Sequence, residues 1–310
     1  MHAAAMPQGE PIIVDLQPVP LEPRADNRRA GELEYLAGYV LTSGDGGWGG
    51  FSGLVVSRDG GRLVAVSDEG LWLEARLTHE GDRMVGLDAA LLAPMLDVRG
   101  DRLLGKRMTD AEGLAAEADG AVLVTFERAG RLWRYRPAGS VTATAAEPVP
   151  SPLDGAVLPE NGGVGAVAAL ADGTIVMLAA GPAHGAPEAL GWIGRAGGPW
   201  APVHWMRTGL FRVTDATALP SGDLLVLERR FTSIGGPAAR LSVVPRAALR
   251  PGTHLAGREI ALLHLPMTVD NFEAVAARPG AGGTLVYLMS DDNRSPVQRT
   301  LLLEFLWRGH

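Results

Sequence analysis

The chain of 310 residues contains no cysteine. That excludes a disulfide framework, a thiolate metal site and a cysteine nucleophile, and it is compatible with either the cytoplasm or the periplasm. No apolar run approaches the ~20 residues a membrane-crossing helix needs, so a soluble chain with no membrane partner is expected. No basic region followed by an apolar stretch opens the sequence, so a signal peptide is not expected within it. Lysine-rich stretches are also missing. Together with a net charge of -7 and a pI near 5.5, this argues against nucleic acid or an anionic membrane as the partner, whereas an acidic protein more naturally gathers cations. Several catalytic signatures are absent too. There is no Gly-x-Ser-x-Gly elbow, no Gly-x-x-x-x-Gly-Lys-Ser/Thr loop and no His-Glu-x-x-His pair. The glycine-rich run Gly44-Asp-Gly-Gly-Trp-Gly-Gly50 lacks the following helix that a phosphate cradle uses.

What is present is a repeat. A slot residue opens a short apolar strand, a Gly-centred turn follows, and a second apolar strand usually closes on a carboxylate. The five copies run from Ser52 to Asp68, Glu112 to Glu127, Gly165 to Ala179, Asp215 to Glu228 and Glu273 to Asp291. Their slots are 60, 53, 50 and 58 residues apart, the period of one four-stranded blade after another. Asp59-Gly60, Asp119-Gly120, Asp172-Gly173 and Ser221-Gly222 supply tight-turn chemistry, so each pair of runs is expected to form an antiparallel hairpin. Further apolar segments around Arg131–Arg136, Val203–Met206, Arg240–Val244 and Ile260–Leu265 can complete the sheets.

The expected fold is therefore all-β, a β-propeller of four-stranded blades. Five blades follow from the count, with a sixth possible only in residues 10 to 30 or 138 to 160. The last copy lacks a fourth strand, and the segment Glu32 to Thr42 can supply it, closing the ring by pairing the two ends of the chain. With 46% hydrophobic and 20% charged residues the composition supports one folded unit rather than disorder. The expected organisation is an extension over residues 1–30 and a single propeller domain over 31–310.

These residues resemble a known family, the esterase-like activity of phytase proteins. The resemblance rests on Gly50-Phe-Ser-Gly-Leu54 leading to Ser67-Asp68, Asp110-Ala-Glu112-Gly-Leu114 leading to Glu127-Arg128, and Leu227-Glu228-Arg229. It continues in Asp270-Asn-Phe-Glu273 and in Ser290-Asp-Asp-Asn293 followed by Gln298-Arg-Thr300. It implies a propeller, often exported, with a phosphoesterase association. A periplasmic or secreted location is the expectation from that resemblance, and the cytoplasm is the alternative. The start, Met1-His-Ala-Ala-Ala-Met-Pro, can be a mature end carrying an added methionine or an ordinary tail. One departure stands out. Where the family pattern carries a glutamate, this chain has Asn161-Gly-Gly-Val-Gly165, so the third slot holds no carboxylate.

Inner strands line the axis of a propeller, so Ser52, Glu112, Gly165, Asp215 and Glu273 are expected to form a ring there. Three facing carboxylates must raise their pKa values, gather cations or bind a metal. With oxygen donors only, Ca²⁺ is the first expectation and Mg²⁺ the second. The candidate metal ligands are Glu112, Asp215, Glu273, Asp68, Asp291 and Asp292. The candidate catalytic set is Glu112, Asp215 and Glu273, with Arg128 or Arg229 orienting an anion. Alternatively the acids are hydrated or bonded to backbone N–H groups, and Arg128, Arg229, Arg230 and Arg299 make salt bridges that hold the ring closed. His204 or His264 could act as a base only if folding brings one to the channel mouth. The expected activity is Ca²⁺-dependent hydrolysis of a small-molecule substrate, an anionic phosphate ester or related small ester. The alternative is a non-catalytic binding or scaffold propeller.

Overall fold

Alternating side chains in each strand have to bury both faces of every sheet, and five sheets arranged about an axis satisfy that demand. In the computed structural model, which describes residues 9–24, 26–154, 163–181 and 186–309, the chain forms five blades. The inner strands are Phe51–Val56, Ala111–Ala116, Ala166–Ala169, Arg212–Ala218 and Phe272–Gly280. Each pairs antiparallel with the strand that follows it, as the turn chemistry predicts. Gly60 at φ 80 and Gly222 at φ 90 occupy the left-handed region that these turns require.

The second and fourth blades have four strands each. The others carry more than expected. The two-residue strand Glu10–Pro11 adds to the outer edge of the first blade, and Asp15–Pro18 adds to the fifth. His254–Leu255 pairs parallel with Trp200–Met206 on the third. The ring closes as expected: Thr300–Trp307 near the C-terminus pairs antiparallel with Leu33–Thr42, from Thr300 opposite Leu41 to Leu306 opposite Glu34. The described residues between 10 and 30 hold no sixth blade, and residues 155 to 160 of the other candidate stretch fall outside the described residues. Those between 10 and 30 run along the seam and place Leu21 in the core between the fourth and fifth blades, where Thr268 N–H donates to the Leu21 carbonyl at 2.6 Å.

The core is divided among five apolar clusters, one in each gap between blades. Strand Leu224–Thr232 shows how a period of two builds them. Leu225 and Leu227 pack toward the fifth blade, while Leu224 and Val226 pack toward the third. The closing seam between fifth and first blades also carries a buried polar network. Tyr287 donates to Glu304 at 2.6 Å, Arg278 Nε donates to the Tyr287 oxygen at 2.9 Å, and Met84 N–H donates to the second Glu304 oxygen at 2.6 Å.

Successive inner strands contact one another around the whole ring. At one end of the channel they line a small cavity of about 110 Å³ among residues such as Val55, Ala116, Ala169, Thr217 and Ala277. The slot residues lie at the opposite end.

Candidate functional site

Four of the five inner hairpins slip register by one residue at the slot. The extra residue is Ser52 between Phe51 and Gly53, Glu112 between Ala111 and Gly113, Thr214 between Val213 and Asp215, and Glu273 between Phe272 and Ala274. A bulge of this kind re-aims the unpaired side chain. All four bulged residues, together with Gly165 of the third blade, line one cavity of about 610 Å³ at the channel mouth.

This register corrects the fourth slot. Thr214, not Asp215, occupies it. Asp215 sits at the next position, equivalent to Gly53, Gly113 and Ala274, which faces the neighbouring inner strand. Its carboxylate accepts N–H groups from Val275 of the fifth blade and from its own neighbour Ala216, both at 2.8 Å. Burial pushes this carboxyl well above its ordinary value although the two N–H groups favour its charge. Asp215 therefore ties two blades together and does not face the cavity. The third slot is glycine for a steric reason, since a Cβ on Gly165 would lie 2.8 Å from the Thr214 carbonyl oxygen.

The acidic groups that the fold brings together are Asp110, Glu112 and Glu127, with one carboxylate oxygen from each lying within 4.8 Å of the others. Asp110 follows the short helix Lys106–Thr109 and is held from both sides, by Lys106 Nζ at 2.7 Å and Arg128 Nε at 3.0 Å. Glu127 accepts Gly163 N–H at 3.1 Å. Among the described residues none donates a hydrogen bond to the Glu112 carboxylate. Burial, and then the charges of Glu273, Glu127, Asp110 and Asp68, push the Glu112 carboxyl well above its ordinary value. Of the three acids, Glu112 is the one left open to an added cation.

Around them stands a second tier already neutralised by the protein itself. Lys106, the chain's only lysine, reaches Asp68 at 2.5 Å as well as Asp110. Burial opposes the Lys106 charge, but the bonds to Asp110 and Asp68 outweigh it and raise the ammonium pKa. Glu273 accepts Arg229 at 2.7 Å across the gap between fourth and fifth blades and Asn271 Nδ2 at 3.0 Å. Burial still pushes its carboxyl up against those partners. Asp291 also lines the cavity and accepts Asn293 N–H at 2.7 Å; burial, with Glu273 and Asp68 nearby, pushes it up to about 7.

Other sequence candidates lie elsewhere. Asp292 is turned away from the cavity lining and ties loops together, accepting Gly50 N–H at 3.2 Å, Arg294 N–H at 2.9 Å and the Thr300 hydroxyl at 2.9 Å. Arg128 bridges to Asp110 within its own blade, Arg229 bridges between blades, and Arg299 pairs with Asp270 at 3.2 Å. Glu228 is fully buried between Arg240 at 2.8 Å and Trp205 Nε1 at 3.0 Å, so it joins the third and fourth blades. His204 stacks on His254 at the outer edge of the third blade, and His264 lies at the exposed end of an outer strand. Neither His204 nor His264 lines the cavity, and Asn161 falls outside the described residues. Sequence reasoning missed Lys106 as a built-in counter-charge and Asp110 as a member of the acidic group. Strand periodicity carried no signal for the second, since Asp110 caps the short helix outside the strand and Glu112 is the bulged residue.

None of the curated proteins matches this chain. Solved structures with a similar chain path include one described as a putative gluconolactonase, at 13% identity and a TM-score of 0.48, covering 98% of this chain and 92% of that one. Virginiamycin B lyase from Staphylococcus aureus aligns at 12% identity and a TM-score of 0.40 over 89% of this chain and 82% of that one. The β-propeller domain of Cps50 (Swd1) from Myceliophteria thermophila aligns at 10% identity and a TM-score of 0.41 over 94% and 99%. Similarities at these values assign no activity. The model of the family described as esterase-like activity of phytase matches residues 46–294, most of the propeller and both walls of the acidic cavity, and the chain belongs to that Phytase-like family.

Proposed function

We propose that the protein is a hydrolase of a phosphate ester or related small ester, with a divalent cation held at the acidic mouth by Glu112 and Glu127 and backed by Asp110. The observation that carries this reading is the approach of three carboxylates within 4.8 Å, one of them without a hydrogen-bond donor. Like charges packed this closely and partly buried are costly unless a cation or protons join them. The donor set is oxygen only, which suits a hard ion, Ca²⁺ first and Mg²⁺ second. Such an ion, when bound, supplies Lewis-acid polarisation of an ester or phosphoryl oxygen. The chain's own residues do the rest. Arg229 and Arg212 line the same cavity and present cationic donors to an anionic substrate. Asp291, poised near neutrality, is the group suited to take a proton from an attacking water.

One observation favours a non-catalytic binding propeller instead. Lys106, Arg128 and Arg229 already compensate Asp68, Asp110 and Glu273, so a substantial part of the acidic ring is neutral without any ion. The two readings separate in a melting experiment. Titrating Ca²⁺ into EDTA-treated protein, with Mg²⁺ as control, should raise the melting temperature saturably and with Ca²⁺ preference, and screening of phosphate esters and lactones should then yield metal-dependent turnover. No shift after thorough chelation rejects the metal site and leaves the binding propeller.

A further inference from the structure

A second cavity of about 600 Å³ adjoins the acidic one, and Arg229, Arg230 and Phe231 line both. Its wall differs in kind. Phe231, Pro237, Val269 and Val297 make it largely apolar, and its one carboxylate among the described residues, Asp270, is already paired with Arg299. Phe231 is 71% exposed and Val297 86%. Leu210, on the rim of the acidic cavity, and Ile234, at the tip of the hairpin that carries Phe231, are exposed as well. Large apolar groups gathered at a cavity mouth point to an apolar ligand surface rather than to folding.

The wall between the two cavities is cationic. Arg230 makes no ion pair with any described residue; its guanidinium meets only the Thr232 hydroxyl at 3.5 Å and the face of Phe211 at 5.3 Å. Arg229 gives one nitrogen to Glu273, while its buried Nε has no hydrogen-bond partner among the described residues. A buried donor without an acceptor costs stability unless a ligand supplies one.

We infer that the ligand of this site is an amphipathic anion. Its head is held by Arg229 and Arg230 at the junction, and its aliphatic or aryl portion lies along Phe231 and Val297 in the side groove. The inference rests on the ester-hydrolase reading for what happens to the head, but not for the groove itself. Charge complementarity selects this class over a polyphosphorylated ring: Arg229 and Arg230 match a single anionic head, and with no cation bound Glu112, Glu127 and Asp291 would repel further phosphates.

The test is calorimetric titration of the whole protein with ethyl-, butyl- and hexylphosphonate, once with Ca²⁺ and once in EDTA. Affinity should rise about two- to fourfold for each added methylene that enters the groove. Phe231→Ser combined with Val297→Ser, both at exposed positions, should flatten that dependence, and Arg230→Gln should weaken every member of the series about equally. A length dependence that persists in EDTA upholds the groove even if Ca²⁺ adds nothing, which separates this inference from the metal reading. Affinity independent of length in both conditions, or a dependence that survives the double substitution, overturns it.

Discussion

In EDTA at pH 8, Glu112→Gln is expected to raise the melting temperature, and in saturating Ca²⁺ it is expected to lower it relative to the parent. The substitution keeps the shape of the side chain and removes its charge. Glu112 and Glu127 oxygens lie within 4.8 Å, and at an effective dielectric constant of about 20 two full charges at that distance repel by roughly 3 kcal/mol. Asp110 adds little to that repulsion because Lys106 and Arg128 already face it. Relief of that repulsion corresponds to a rise of roughly 3–6 °C for a chain of this size. The sign with pH follows from the direction of the shift. The Glu112 pKa is raised in the folded state, so its contribution to stability is full at low pH and is lost as pH rises through the folded value. The benefit of glutamine must therefore shrink as the pH is lowered toward 5. With Ca²⁺ at about one thousand times its Kd, the parent gains about 4.1 kcal/mol that the variant largely loses, which exceeds the roughly 3 kcal/mol of relief and reverses the sign. Differential scanning calorimetry in both buffers reads the two signs directly. A shift of the same sign with and without Ca²⁺ would refute the argument that Glu112 is a repelled, cation-seeking carboxylate.

The remaining expectations touch other parts of the ring. Burial raises Asp291 to about 7 and also raises Glu112 and Glu273, so Ca²⁺ must displace protons. Calorimetry between pH 8 and pH 6 should show weakening affinity, with proton release measured from buffers of different ionisation enthalpy. Without metal these same groups favour lower pH, so the melting temperature in EDTA should be higher at pH 6 than at pH 8, and the Asp291→Asn variant should show a smaller difference. Arg240→Ala leaves the buried Glu228 carboxylate with Trp205 alone and should cost about 3–5 kcal/mol in chemical denaturation; the double change Glu228→Gln with Arg240→Met should cost less. Gly165→Glu, though it restores a carboxylate to the third slot, should not tighten Ca²⁺ binding. Its Cβ meets the Thr214 carbonyl oxygen at 2.8 Å, so the backbone must shift, and a loss of about 1–3 kcal/mol is expected in a urea melt.

Asp215-Ala-Thr-Ala matches the slot pattern as well as Glu273-Ala-Val-Ala does, because both open an apolar inner strand. The bulge at Thr214 adds one residue before the ladder resumes, and a bulge has no residue-type signature here. One residue of slip turns a side chain from the channel to the neighbouring blade, which is why Asp215 binds Val275 N–H. Glu273 and Glu112 escaped that error because their bulges fall at the assigned residue itself. The Glu228 position misled in the same manner, since a carboxylate closing the second strand lines the cavity at Asp68, Glu127 and Asp291 but is buried between blades at Glu228.

By itself the sequence determined the blade count, the hairpins and the closure of the ring by Leu33–Thr42. Those features follow from local alternation and turn chemistry, and from one strand missing at the end of the last repeat. It also determined that the channel mouth would be acidic. Only the tertiary structure decided which acids meet. Lys106 comes from a helix between the first two blades, Arg229 from the fourth blade reaches Glu273 on the fifth, and a carbonyl of the fourth blade forbids a side chain at Gly165. These contacts depend on how closely neighbouring blades approach and on single-residue bulges, and no short stretch of sequence encodes either.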